Sequence, residues 1–337
     1  MSQFQINSIT DKSGTSGPVI AGVSTNNSTG CMIIPAGPTE NRGGRGRNVT
    51  YGGYGPSYNG EMNVMEIATT GSAVDFGDAS DENDFGSGMA SATRGVFKQG
   101  RDGSSPYTRT MEFVTFSSLG GVTDFGDDNG VLQDSSASSA NGIRGIFGNG
   151  TGYDKVIQSI NIPTGGDTAQ FGTLSQGLYM GGGAGGASPT RGFFFGGRTL
   201  EPAVVKTIEF VTFASGGEAT KFGDLTVARR AIAAVTNNTR AVSCSGDTPA
   251  TNTMDFITMA SEGNATDFGD ITRQAAGYGA GGSSATRGVI TGCSPDNSNR
   301  IDYITIASTG NATDFGDTTY KSYTCAACSD SHGGLGE

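Results

Sequence analysis

The chain has no tryptophan and a single histidine, His332, in 337 residues. One histidine so late in the sequence leaves no Ser-His-Asp or Cys-His arrangement with interior placement. Cysteine is scarce too: Cys31, Cys244, Cys293, Cys325 and Cys328 are odd in number and irregular in spacing, so they form no extracellular disulfide framework. Basic residues are outnumbered, 21 Lys and Arg against 32 Asp and Glu, for a net charge of −11. Phosphate affinity rests on Lys and Arg, so no nucleic-acid partner is expected. No apolar run approaches the length of a membrane span. Met1-Ser2-Gln3-Phe4-Gln5 is not a basic region leading into an apolar stretch, so no secretory signal is expected and synthesis is assigned to a cytoplasm. Helices are missing from the pattern as well. No segment of helical length repeats apolar residues every 3.6 positions, and 57 glycines argue against helix. Hydrophobic content is only 34%, with Gly, Ser, Thr and Asn in place of bulk. That composition suits thin, tightly turned β structure.

What is present is one word written six times. It reads Asp75-Phe76-Gly77-Asp78, Asp124-Phe125-Gly126-Asp127, Gln170-Phe171-Gly172-Thr173, Lys221-Phe222-Gly223-Asp224, Asp267-Phe268-Gly269-Asp270 and Asp314-Phe315-Gly316-Asp317, with phenylalanines 49, 46, 51, 46 and 47 residues apart. A fixed period of this length marks a repeat architecture. Each unit holds four short runs bounded by Gly, Asn, Asp or Ser, which is the strand-and-turn signal. In the best-preserved unit the strands fall near 229–236, 240–246, 253–259 and 265–270. Four strands per unit make one propeller blade.

The expected fold is therefore all-β: one propeller domain over 1–337, of four-stranded blades. The period divides the chain into seven, with six as the alternative and the first 45 residues then forming a separate arm. The last blade is closed by both chain ends. After the sixth signature, 322–327 resembles a first strand. Phe4–Thr10 alternates like a third strand, and Val19–Asn27 resembles Ala231–Asn238.

The recurring residues have scaffold roles. Each signature Phe (Phe76, Phe125, Phe171, Phe222, Phe268, Phe315) is the large apolar wedge between blades, worth roughly 1.5–3 kcal/mol when buried. The following Gly permits a bulge or close backbone approach. The flanking Asp caps the turn. The Arg opening each second strand, such as Arg191, is expected to pair with a signature Asp.

Chemical motifs fare poorly beside this repeat. Asp-Phe-Gly has none of the partners of a kinase site. The Gly-rich run 181–186 resembles a dinucleotide fingerprint, but no helix follows it, so tight β packing is expected. Cys325-Ala-Ala-Cys328, with His332 and Cys31, has zinc-like spacing on a strand that is a poor host. The Gly-Asn-Ala-Thr-Asp turns lack the alternating acids of a calcium loop. Paired carboxylates could serve a glycosidase, but most acids occupy repeated positions. No metal, no cofactor and no enzymatic activity is expected.

Comparing the repeats with one another locates the candidate site. Loops joining first to second and third to fourth strands share one face of a propeller. Loops joining second to third strands, and fourth strands to the next blade, share the other. The third–fourth loops are nearly constant, as 260–266 against 307–313 shows. The loops of the other face vary, and function tends to sit on variable loops held by a rigid scaffold. If Cys31–Ile34 is the first second-strand, the loop after it spans 38–62 and carries Arg42, Arg45 and Arg47 followed by Tyr51, Tyr54 and Tyr58. A rival register makes Arg47–Gly53 that strand, matching Arg191–Gly197. Tyr51, Tyr54, Tyr58, Tyr107, Arg109 and Arg198 are the candidate binding residues, since Tyr and Arg are favoured interface anchors.

The unit Thr-Arg-Gly-Val through Asn-Ala-Thr-Asp-Phe, complete at Thr286–Phe315, resembles the kelch-like propeller repeats of tailed-phage virion proteins, especially those of marine cyanobacterial phages. The resemblance covers roughly 60–320. Ordinary kelch repeats carry Trp where this chain has Phe, and a double Gly that is often degraded here, as at Lys98-Gln99-Gly100. Kelch-like copper oxidases need His, Tyr and Cys ligands, which one histidine does not supply. The resemblance implies a non-enzymatic virion structural protein, associated with tail, fibre or capsid. Its partners would be other virion proteins or a host surface glycan, with homo-oligomerisation in the particle also open. The alternative is a propeller that binds or hydrolyses glycans.

Overall fold

The structure, a computed structural model, describes residues 24–25, 32–33, 46–102, 108–130, 136–148, 150, 152–179, 186–201, 203–273, 277–293 and 298–335. Two compact units are present, Met1–Asn41 and Arg42–Glu337. In the first, Ser24–Thr25 pairs antiparallel with Met32–Ile33. The rest of Phe4–Thr10 and Val19–Asn27, together with Cys31 and Ile34, lies outside the described residues. The second unit is a β-propeller of six blades.

The second blade shows the plan. Ser87–Ala90, Arg94–Lys98, Thr110–Thr115 and Thr123–Asp127 run antiparallel from the channel outward. The third blade is Ala137–Ala140, Arg144–Gly148, Val156–Asn161 and Ala169–Thr173. In the fourth, Arg191–Arg198, Val204–Thr212 and Thr220–Asp224 form the outer three strands, and Ala187 and Tyr179 bridge to Gly192 and Arg198 on the inner side. The run 181–185, expected to pack tightly here, lies outside the described residues. Blade five is Ala233–Thr236, Arg240–Gly246, Thr251–Thr258 and Thr266–Asp270. Blade six is Ala280–Ser283, Arg287–Thr291, Arg300–Thr305 and Thr313–Asp317. Blade one is completed from both directions. Ala326–Ser329 is its innermost strand and pairs with Arg47–Tyr54, followed outward by Tyr58–Glu66 and Val74–Asp84. One blade is thus shared as expected, but the total is six, not seven.

Two physical facts set six. Seven periods fill the 337-residue chain, whereas the propeller unit spans only Arg42–Glu337. The described innermost strands are also rich in Gly, Ala and Ser, which lets neighbouring ones converge to backbone contact. A Cβ on Gly88 would meet the Ala327 carbonyl oxygen at 2.3 Å, and one on Gly281 would meet that of Ala234 at 2.2 Å.

The expected 38–62 loop is not observed. Arg47–Tyr54 and Tyr58–Glu66 form a hairpin around Gly55–Ser57, while 38–45 lie outside the described residues. The rival register is the observed one. Arg47–Tyr54 and Arg191–Arg198 share one burial pattern, and the pairs Gly52-Gly53 and Gly196-Gly197 share φ values of +58°, +120° and +56°, +118°.

The core lies between blades. Phe268 packs on Ile304 and Ile306 of blade six, Phe76 on Val114 and Phe116 of blade two, and Phe315 on Met65 and Ile67 of blade one, which closes the ring. Each signature Gly presses on the third–fourth loop of the next blade. The Gly120, Gly166, Gly263, Gly310 and Gly71 amides donate to the carbonyls of Phe76, Phe125, Phe222, Phe268 and Phe315. The Asn of that loop caps the signature: Asn264 Oδ1 accepts from the Asp224 amide and Asn311 Oδ1 from the Asp270 amide, both at 3.0 Å. The turns considered for calcium therefore spend these polar groups on interblade bonds.

The second-strand arginines do not pair with signature aspartates. Arg94, Arg144, Arg191, Arg240 and Arg287 lie over the rings of Phe113, Phe171, Phe210, Phe256 and Tyr303 in their own blade, 4.5–4.9 Å from the centroid. Their guanidinium groups donate to carbonyls at the end of the next blade's third strand. Arg240 reaches Ile306 and Ala307, and Arg287 reaches Ile67 and Ala68 across the closure. The signature aspartates sit on the exposed outermost strand, beyond this contact.

Candidate functional site at the channel mouth

The two ends of the central channel differ. At the constant-loop end, the chain leaves the innermost strand of blade one and crosses the opening through residues 330–335. Asp330 Oδ1 accepts from the Gly46 and Arg47 amides at 2.9 and 2.8 Å. The Ser331 hydroxyl donates to the Ser283 carbonyl, and the Gly333 amide donates to Thr236 Oγ1. His332 Nε2 lies 2.9 Å from the Ala90 carbonyl, and its Nδ1 accepts from the Gly334 amide at 3.2 Å. Those two contacts fix the neutral ring with the proton on Nε2. Burial pushes its pKa down to about 4. This segment is therefore held by blades one, two, five and six, and it plugs that end.

The other end opens among the variable loops. Its described wall includes Phe85–Gly88, Ser136–Ser138, Ala231–Ile232, Tyr278–Ala280 and Thr324–Ala327, around a cavity of about 70 Å³. That volume admits a few waters and falls well below the 300–1,000 Å³ of a typical ligand pocket. No carboxylate is among these lining residues.

The mouth is framed by a backbone belt. Ala231, Tyr278, Thr324 and Phe85 occupy the same position in blades five, six, one and two, just before the innermost strand. All four have positive φ, +55°, +63°, +60° and +53°, where non-glycine residues are uncommon. The conformation turns each amide toward the neighbouring blade. Tyr278 N–H donates to the Ala231 carbonyl, Thr324 N–H to that of Tyr278 and Phe85 N–H to that of Thr324, at 2.9, 3.0 and 2.8 Å. A polar slot sits behind the belt. Asp255, Asp302 and Glu112, one in each of three third strands, accept bonds from Thr226, Thr272 and Ser80 of the preceding blade's connection. Arg229 lies 2.9 Å from Asp255, with both side chains inaccessible to solvent. Glu209 holds the same place in blade four, where burial raises its carboxyl pKa. These acids are singly placed between blades, each against scaffold partners.

Aromatic rings form a continuous row that reaches the mouth at Tyr278 and Phe85. Tyr58 meets Tyr54 at 5.1 Å, Tyr54 meets Tyr323 at 5.6 Å, Tyr323 meets Tyr278 at 6.4 Å and Tyr278 meets Phe85 at 5.8 Å. Successive planes are turned by 62–80°. All five side chains are half-buried. Arg101 lies over Phe85 at 4.4 Å and is held by buried Asp84 at 2.8 Å. Arg230 grips Asp247 at 2.7 Å beside the Tyr278 hydroxyl. Burial raises the phenol pKa of Tyr278 and of Tyr323.

Of the candidate residues, the structure brings Tyr54 and Tyr58 together in this row. Tyr51 does not join the row. It is buried, stacks on Phe97 at 4.5 Å and donates to Glu112 at 2.5 Å, because its side of the strand faces blade two. Arg109 stays on the variable face but donates to the Asp128 and Gly130 carbonyls of its own blade. Arg198 bridges Tyr179 on another part of the face. Tyr107 lies outside the described residues. Sequence comparison missed Tyr278, Tyr323, Phe85, Arg101 and Arg230. The available signal was an aromatic-Gly pair just before two of the innermost strands, Phe85-Gly86 and Tyr278-Gly279. The zinc spacing does not form a site among the described residues. Cys325 faces Thr291 of blade six, whereas Cys328 packs among Val49, Phe97 and Phe116 between blades one and two. Residues three apart on a strand point to opposite faces.

No protein-family model matches the chain, and no curated protein matches it in sequence.

Proposed function

We propose that this propeller is a non-enzymatic virion structural protein, of tail, fibre or capsid. In this reading it uses the variable-loop face to dock another virion protein or a host surface receptor. The observation that carries the docking part is the aromatic row at the channel mouth. Tyrosines and arginines are held in place by backbone bonds and ion pairs, on the face whose loops differ from blade to blade. The opposite face has its channel end plugged and its loops committed to interblade bonds. A rigid ring with one such face is suited to presenting a preformed surface, since little ordering is required on binding. The virion part rests on the repeat wording at Thr286–Phe315. Mass spectrometry of purified particles tests it. The protein is expected there in stoichiometric amount, and its presence in infected cells but never in particles would refute the assignment.

A further inference from the structure

We propose that the aromatic row at the channel mouth is a binding site for an extended neutral oligosaccharide, such as a segment of a cell-surface polysaccharide. This rests on the docking reading above and names the chemistry of one ligand.

Four observations converge on a saccharide. The ring centroids from Tyr58 through Phe85 follow one another at 5.1–6.4 Å. That is comparable to the spacing of successive pyranose rings in an extended chain. Alternating ring planes offer faces to sugar C–H groups and phenol edges to sugar hydroxyls, the amphipathic behaviour for which tyrosine is suited.

The charges of the row are already matched. Arg101 is paired with Asp84 and Arg230 with Asp247. A charged ligand would have to compete with those partners, whereas a hydroxyl can add to them. Guanidinium and carboxylate groups fixed beside Phe85 and Tyr278, at one end of the row, can donate to and accept from vicinal hydroxyls.

The well beneath the mouth, about 70 Å³, is too small for a sugar ring. The ligand therefore lies across the rings and leaves water in the well.

Among the described residues, large exposed apolar side chains, the usual core of a protein interface, are sparse on this face. Val74, Leu119 and Ile143 belong to the constant-loop side, and Leu200 and Val227 stand apart in blade four and its connection to blade five. Around the row itself, the described distribution favours a saccharide over a protein.

With no Trp and four of the ten tyrosines in the row, tyrosine emission carries a signal from it, which the Tyr54→Ala and Tyr323→Ala variants isolate. The full chain would be titrated with neutral oligosaccharides (cello-, malto-, manno- and galacto-oligosaccharides) and with an acidic one, oligogalacturonate, by fluorescence and calorimetry. At least one neutral series is expected to bind, more tightly as length increases. Tyr54→Ala and Tyr323→Ala should each weaken it tenfold or more, with thermal unfolding checked in parallel. Tyr153→Ala, which removes a ring paired with Tyr179 elsewhere on the face, should leave affinity within twofold. No binding of any neutral series up to roughly 10 mM, the weak end of measurable affinity, would overturn the proposal. So would binding confined to the acidic oligosaccharide, or binding indifferent to Tyr54→Ala and Tyr323→Ala in folded protein. Presence in particles without saccharide binding would refute this inference alone. Saccharide binding by a protein absent from particles would refute only the virion assignment.

Discussion

Replacing Arg240 with Met isolates the interblade stitch. The guanidinium donates to the Ile306 and Ala307 carbonyls at 3.3 and 2.8 Å, and lies 4.5 Å above the Phe256 ring. A hydrogen bond from a charged group contributes about 1.5–3 kcal/mol when buried, and less here because the Ala307 contact is exposed. The cation–ring contact adds about 0.5–1 kcal/mol. Methionine keeps most of the stem's packing over Phe256, so burial changes little. Arg240→Met is therefore expected to cost about 2 kcal/mol, seen as a lower urea midpoint with an unchanged denaturant slope. Asp267→Asn is the paired control. Asp267 is exposed on the outermost strand of the same blade, and its replacement should stay within about 0.5 kcal/mol of the parent. A loss below about 0.5 kcal/mol for Arg240→Met would refute the stitch. An equal loss from Asp267→Asn would restore the Arg–Asp pairing in its place.

Three further outcomes are expected. A Cβ on Gly223 would meet the Gly263 carbonyl oxygen at 2.0 Å, whereas one on Gly263 would meet nothing within 4 Å. Gly223→Ala should thus cost at least about 1–3 kcal/mol while Gly263→Ala changes midpoint little, and equal effects would count against backbone approach as the reason for that glycine. Tyr51→Phe leaves Glu112 Oε2 buried with the Ser80 amide at 3.5 Å, which should lower unfolding free energy by about 1–3 kcal/mol in denaturant titration. His332 is held at about 4 against 6.5 in the unfolded chain, so unfolding takes up a proton between those values. Its contribution is complete above pH 6.5 and is lost as pH falls toward 4, by up to about 3 kcal/mol. His332→Gln, which does not titrate, should flatten the stability profile in that window, and an unchanged profile would refute the buried neutral ring.

The repeat was legible because its residues perform close contacts that tolerate few substitutes. Phe268 fills one interblade gap, and a Cβ on Gly269 would strike the Gly310 carbonyl oxygen at 2.5 Å. Such positions recur in type as well as in place. Blade number was less legible, because it depends on how closely the small residues of the innermost strands converge, and because an alternating segment such as Phe4–Thr10 has the look of a blade strand. In Tyr51-Gly52-Gly53-Tyr54 the sequence pattern does not separate one tyrosine from the other. The glycine pair shifts the register between Tyr51 and Gly53, leaving Tyr51 between blades and Tyr54 at the mouth. The Arg–Asp expectation failed for a related reason: opposite charges in one repeat suggest a pair, but the carbonyls that receive the arginines leave no mark in the side-chain sequence.

The division of labour between the two faces follows from which atoms make the stitches. On the constant face the backbone bonds are joined by side-chain ones: Arg240 and its equivalents on carbonyls, and Asn264 and Asn311 on signature amides. Each calls for a particular kind of side chain, Arg for the carbonyls and Asn, Asp or Ser for the signature amide. At the channel mouth the stitch is backbone to backbone, from Tyr278 to Ala231, Thr324 to Tyr278 and Phe85 to Thr324. It requires a positive φ but no particular side chain, and one position accordingly holds Ala, Tyr, Thr and Phe in four blades. The ring can therefore change the chemistry of its mouth without loosening its blades. Substituting Ala231 with Tyr would extend the aromatic row while keeping the belt, a change that the constant face could not accept at Arg240.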